Sequence, residues 1–209
     1  MVDEIIEEWR TRLHDISWFM RLLNEHIARE SNKEDKVTGR FWEGRFKSQA
    51  LLDEQALITC MAYVDLNPIR AGMAKTPEAS DYTSIQERIQ KALNKKPCKL
   101  LQFRDGSRQH SINEYKAIPF ELKDYIALVD WSGRAILDKK RGSIPINTPP
   151  ILLRLGIDET SWINHVHYFE RHFPTVAGNI ETLRELAEQT SRRWIKGMGK
   201  AFKLLELPS

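Results

Sequence analysis

Residues Thr38 to Gly72 read TGRFWEGRFKSQALLDEQALITCMAYVDLNPIRAG. The stretch opens basic and aromatic, with Arg40, Phe41, Trp42, Arg45, Phe46 and Lys47 interleaved. Phe46, Ser48, Ala50 and Leu52 then alternate with Lys47, Gln49 and Leu51, which predicts a short strand. Asp53 is a good helix N-cap, and Glu54 suits the positive end of the helix dipole. Leu57, Cys60, Met61 and Val64 recur at helical spacing and predict its buried face. Pro68 disfavours helical geometry at Asn67, so the helix should end near Leu66, with Gly72 closing the turn. At about 100° per residue, Tyr63 lies roughly 110° from the centre of that face, where a ring is half buried and its hydroxyl accessible. Asn67, four residues on, projects to nearly the same side. By residue type alone, such a tyrosine is most often a core-edge aromatic, and Asn-Pro a common turn starter.

Upstream, Ile6, Trp9, Leu13, Ile16, Met20, Leu23 and Ile27 recur every three or four residues. They predict one helix of roughly seven turns from about Asp3 to Arg29. Ile5, Phe19 and Leu22 widen the stripe, so it should pack on something large. Glu30 to Lys36 reads as a charged loop. Downstream, Thr76 to Asp81 reads as a turn, and Thr83-Ser84-Ile85-Gln86 as a capping box opening a helix to about Leu93. Asn94 to Lys99 is a basic linker, and a modest helix is expected from Ser111. Phe120 to Val129 suits a helix, Asp130 to Gly133 a turn, and Lys139 to Gly142 a basic loop. Asp158 caps a helix with Trp162, Val166, Phe169 and Phe173 on one face. A final helix should align Leu183, Leu186, Thr190, Trp194, Met198 and Leu205. The domain division expected is 1–93, a linker at 94–119, and a helical extension at 120–209.

A chain of 209 residues with 41% hydrophobic residues holds enough apolar material for a core without staples. The net charge of +3 is too small to indicate a nucleic-acid partner, so that inference must rest on local clusters. Cys60 and Cys98 lie far apart without metal-ligand spacing and fit a reducing cytoplasm. No segment approaches a membrane span.

The segments HDISWFMRLLNEHIAR, TGRFWEGRFKSQALLDE and CMAYVDLNPIRAGMAKTPEASDYTSIQERI together resemble the HUH-type single-tyrosine transposases, with the REP-associated branch nearest. The match runs from about Asp15 to Ile89 and continues more weakly through DWSGR, KKRGSIP and PPILLRLG. The resemblance implies an α+β ferredoxin-like domain whose strand carries two metal-binding histidines and whose later helix carries the tyrosine. It implies cleavage of hairpin-flanked single-stranded DNA through a 5′-phosphotyrosine link. A tyrosine hydroxyl, with an ordinary pKa near 10, needs help to attack at neutral pH, and a divalent metal (Mg or Mn) stabilises phosphoryl charge. By position Tyr63 matches the nucleophile and Asn67 the residue completing the metal site. Arg40, Trp42, Arg45, Lys47 and Arg70 are implied DNA contacts, the aromatics suiting base stacking.

In the family the histidine strand precedes the first long helix, which here begins near Asp3, so an N-terminally shortened, catalytically incomplete member is expected. Asn164-His165-Val166-His167 spells the HUH pattern, but after the tyrosine and on an expected helix. Histidines two apart on a helix point about 200° apart and cannot share a metal. The fold expected is mainly α with at most one or two short strands. The function expected is DNA transposition through hairpin DNA binding, in the cytoplasm and DNA-associated. Single-stranded or hairpin DNA is the partner, with a homodimer as an option and no membrane. The alternatives are a non-catalytic DNA-binding remnant and a helical protein-interaction fragment.

Overall fold

The computed structural model describes residues 2–94, 99–104, 117–137 and 149–201. These are mainly helical, with one two-stranded parallel sheet. The contacts divide the chain into two units, Met1–Ser48 and Gln49–Ser209. The expected helices at Ser111 and beyond, the Lys139 loop and Leu205 lie outside the described residues.

The first unit holds α1 (Val2–Leu13) and α2 (Ile16–Glu34). The single long helix expected from the apolar stripe is therefore broken at His14 and Asp15. Asp15 adopts an extended conformation and its carboxylate accepts from the Ser17 N–H at 2.7 Å. A short acidic side chain that satisfies a backbone donor starts a new helix where continuing the old one leaves it unused. No described residue of either helix is buried. The Trp18 ring lies under the guanidinium groups of Arg12 and Arg21, at 4.2 and 5.0 Å, beside a groove also lined by Leu13, Phe19 and Leu22.

The second unit begins with β1 (Ala50–Leu51), which pairs in parallel with β2 (Val176–Ala177), Ala50 opposite Val176. Next come α3 (Glu54–Asp65) and α4 (Asn67–Arg70), then a 3₁₀ turn (Pro77–Ala79) and α5 (Ser84–Leu93). Later come α6 (Leu122–Leu137), α7 (Pro150–Arg154), α8 (Glu159–His167), α9 (Phe169–His172) and α10 (Ile180–Gln189). Asp53, Thr83 and Asp158 cap α3, α5 and α8 as their residue types predict, each side chain accepting from a first-turn N–H. Gly72, with φ +72°, turns the chain after α4.

Other local expectations fail as well, since Glu30 to Glu34 is not a loop but the end of α2. Asp130 to Gly133 is not a turn: α6 runs through it, with the Ser132 hydroxyl donating to Leu128 O at 2.6 Å and accepting from Trp162 Nε1 at 2.8 Å. Gly133 is there for close packing, since a Cβ would meet Ile69 Cδ1 at 3.3 Å and Leu66 Cδ2 at 3.4 Å. The last helix stops at Gln189, and Trp194 is exposed rather than on a buried stripe.

One core cluster runs from Ile58 and Leu66 through Ile85, Tyr125 and Leu128 to Leu152, Trp162 and Val166. It draws on residues from both sides of the 94–119 segment. Hydrophobic burial is indifferent to sequence distance, and composition alone does not reveal which side of a linker a helix packs against.

Candidate tyrosine–arginine site and basic loop

α3 is the element on which the site is built. Its buried residues are Gln55, Ala56, Ile58, Thr59, Ala62 and Asp65, whereas Val64 is exposed and Leu57, Cys60 and Met61 are half-buried. The expected face is thus rotated. The spacing of the true face is helical, but beside Ile58 its members are small or polar, and the polar ones bond within the fold except at Gln55 Oε1. Gln55 Nε2 donates to Leu155 O at 2.6 Å, and the Thr59 hydroxyl to Gln55 O at 2.6 Å. The Asp65 carboxylate accepts from the Tyr125 hydroxyl at 2.6 Å, the Ser84 hydroxyl at 3.0 Å and the Ile85 N–H at 3.1 Å. Burial, then the neighbouring Asp65 carboxylate, pushes the Tyr125 hydroxyl well above its ordinary pKa, so it remains a donor.

This anchoring leaves Tyr63 half-buried at the edge of a second cluster of Ala56, Phe169, Phe173 and Ala177. Its ring tilts against Phe169, centroid to centroid 5.6 Å. The Arg70 guanidinium lies 4.0 Å from the Tyr63 ring centroid. Arg70 Nη1 donates to Val166 O at 3.0 Å and Nη2 to Asn67 Oδ1 at 2.9 Å. α3 ends at Asp65 with Leu66 as its C-cap, as Pro68 predicts, and a short helix, α4, follows at once. That turn brings Arg70 back over the tyrosine, so Tyr63, Asn67 and Arg70 form one constellation. A guanidinium fixed over an aromatic ring is a cation suited to receiving an anionic oxygen.

The same geometry bears on the divalent metal. Asn67 Oδ1 faces the Arg70 guanidinium, a cation that competes with a divalent ion for that oxygen. Among the described residues no three His, Cys, Asp or Glu side chains are grouped to hold a metal. Asn67 Oδ1 is engaged by Arg70.

Arg40, Trp42, Arg45 and Lys47 belong to the first unit. Arg40 does not extend outward: its Nε donates to Trp42 O and its Nη2 to Glu43 O, both at 2.8 Å. It shapes the loop. Trp42 Nε1 donates to Asn24 O at 2.9 Å, and its exposed ring meets Phe41 edge to face at 4.8 Å. Arg45 and Lys47 are exposed.

His165 and His167 lie on α8 with opposite fates, His165 buried and His167 exposed. Residue spacing had given no reason to pair His165 with His172. Their Nδ1 atoms approach to 3.3 Å, because α9 starts after Tyr168 and brings the second ring back. Burial, then His172, lowers His165 to about 4, and burial also lowers His172, with Lys200 and Arg171 contributing.

No protein-family model, curated protein or solved structure matches this chain. Among the described residues no helix is long and apolar enough to cross a membrane.

Proposed function

We propose that this chain is a transposase-type DNA-binding protein that engages hairpin-flanked single-stranded DNA. The observation that carries the reading is Arg70, seated 4.0 Å from the Tyr63 ring centroid and held by Asn67 and Val166. In this reading the guanidinium receives a backbone phosphate beside the tyrosine. Trp42 and Phe41 offer ring faces for base stacking, and Arg45 and Lys47 give the loop its charge. Tyr63 matches the family nucleophile by its position in the sequence. The isolated chain does not cleave, because Asn67 is committed to Arg70 and supplies no metal ligand.

The test is binding of a labelled hairpin with a single-stranded flank, measured by anisotropy across a salt series. Log K should fall linearly with log salt, and Lys47→Ala should reduce the slope by roughly 1. Arg70→Ala should weaken binding to the hairpin. Absence of binding, or binding insensitive to salt, would overturn the DNA reading. A denaturing gel with manganese or magnesium should show no covalent adduct. An adduct abolished by Tyr63→Phe would instead make the chain a working nuclease.

A further inference from the structure

α1 is a 12-residue helix with no buried side chain. A helix of that length is marginal in water without a packed face. Its apolar residues Val2, Ile6, Trp9 and Leu13 are 70%, 39%, 61% and 82% exposed. Their 4-3-4 spacing is the a/d spacing of a helix–helix seam.

The pattern is also symmetric about its own centre. When residue n of one copy meets residue 15 − n of an antiparallel copy, Val2 meets Leu13 and Ile6 meets Trp9. The end charges follow the same pairing: Asp3 of the first turn meets Arg12 of the last, although Arg10 and Arg12 also pair within the helix with Glu7 and Glu8. An antiparallel copy therefore sets acidic against basic at both ends, and a parallel copy sets like against like. The two helix dipoles oppose each other as well. A self-complementary patch of this kind closes under a two-fold axis.

We propose that α1 is the contact of a homodimer in which two copies of the chain pair their first helices antiparallel. The inference stands on the α1 pattern and is independent of the DNA reading.

The test is sedimentation velocity on the full chain over a roughly hundredfold concentration range. The mass should move from one chain toward two. Ile6→Glu combined with Trp9→Glu should weaken association at least about tenfold. Because no α1 side chain is buried, the second unit should keep its melting temperature. Orientation is read with Val2→Cys and Leu13→Cys in a background with Cys60→Ser and Cys98→Ser. Mixed under mild oxidation, the two variants should cross-link to each other, and Val2→Cys alone should not. A monomer at every concentration would overturn the proposal and leave the face to DNA or another protein. So would larger assemblies, association indifferent to the Ile6 and Trp9 changes, or Val2→Cys linking to itself.

Discussion

Replacing Asp65 with alanine tests whether one buried carboxylate organises the second unit. Asp65 is 1% exposed and accepts from the Tyr125 hydroxyl, the Ser84 hydroxyl and the Ile85 N–H. Ser84 is half-buried and can turn to another partner. Tyr125 and Ile85 are fully buried, so their donors lose a partner in a dry interior. Each such orphaned donor costs about 1–3 kcal/mol. Two of them put Asp65→Ala at about 4 kcal/mol, a large share of the roughly 5–15 kcal/mol typical of a whole domain. Urea unfolding followed by circular dichroism reads the loss as a lower midpoint at unchanged slope. Tyr125→Phe alone should cost about 1.5 kcal/mol, since the carboxylate keeps two donors. In the Asp65→Ala background the same change removes an orphaned hydroxyl and should be neutral or stabilising. The cycle should therefore show a coupling of about 1–3 kcal/mol. An Asp65→Ala cost below about 1 kcal/mol, or additive effects, would refute the assignment.

Acid should destabilise the second unit through the His165–His172 pair. His165 is lowered to about 4, so its contribution is complete above the unfolded value near 6.5 and is lost as pH falls from about 6.5 to about 4. The full shift corresponds to at most about 3.5 kcal/mol. His165→Phe should flatten that part of a melting temperature–pH curve, and an unchanged curve would contradict the burial argument. Gly178→Ala should destabilise by about 1–3 kcal/mol in thermal melts, because a Cβ there would lie 2.5 Å from Thr182 Oγ1 and 3.1 Å from Asp53 Oδ2. Those two atoms bond at 3.0 Å and, with the Asn179 N–H donating to Asp53 at 2.6 Å, tie the start of α3 to the start of α10.

The chain's own residues determined what depends on neighbours along the backbone. Asp53, Thr83 and Asp158 mark helix starts because a cap is a contact between residues two or three apart. The mainly helical composition and the strand before Asp53 were legible for the same reason. The continuous apolar stripe concealed the cap at Asp15 and proved to span two helices. Tertiary structure alone decided the rest. The buried face of α3 is written in Gln55, Thr59 and Asp65, whose burial is tolerable only once Leu155, Ser84, Ile85 and Tyr125 arrive to pair with them. Arg70 reaches Tyr63 only because α4 turns back and the Val166 carbonyl, on α8, is there to hold it. The His165–His172 contact likewise needs the break at Tyr168. Periodicity reports which residues share a face, but a polar residue's place inside or outside is fixed by partners that lie far away in the chain.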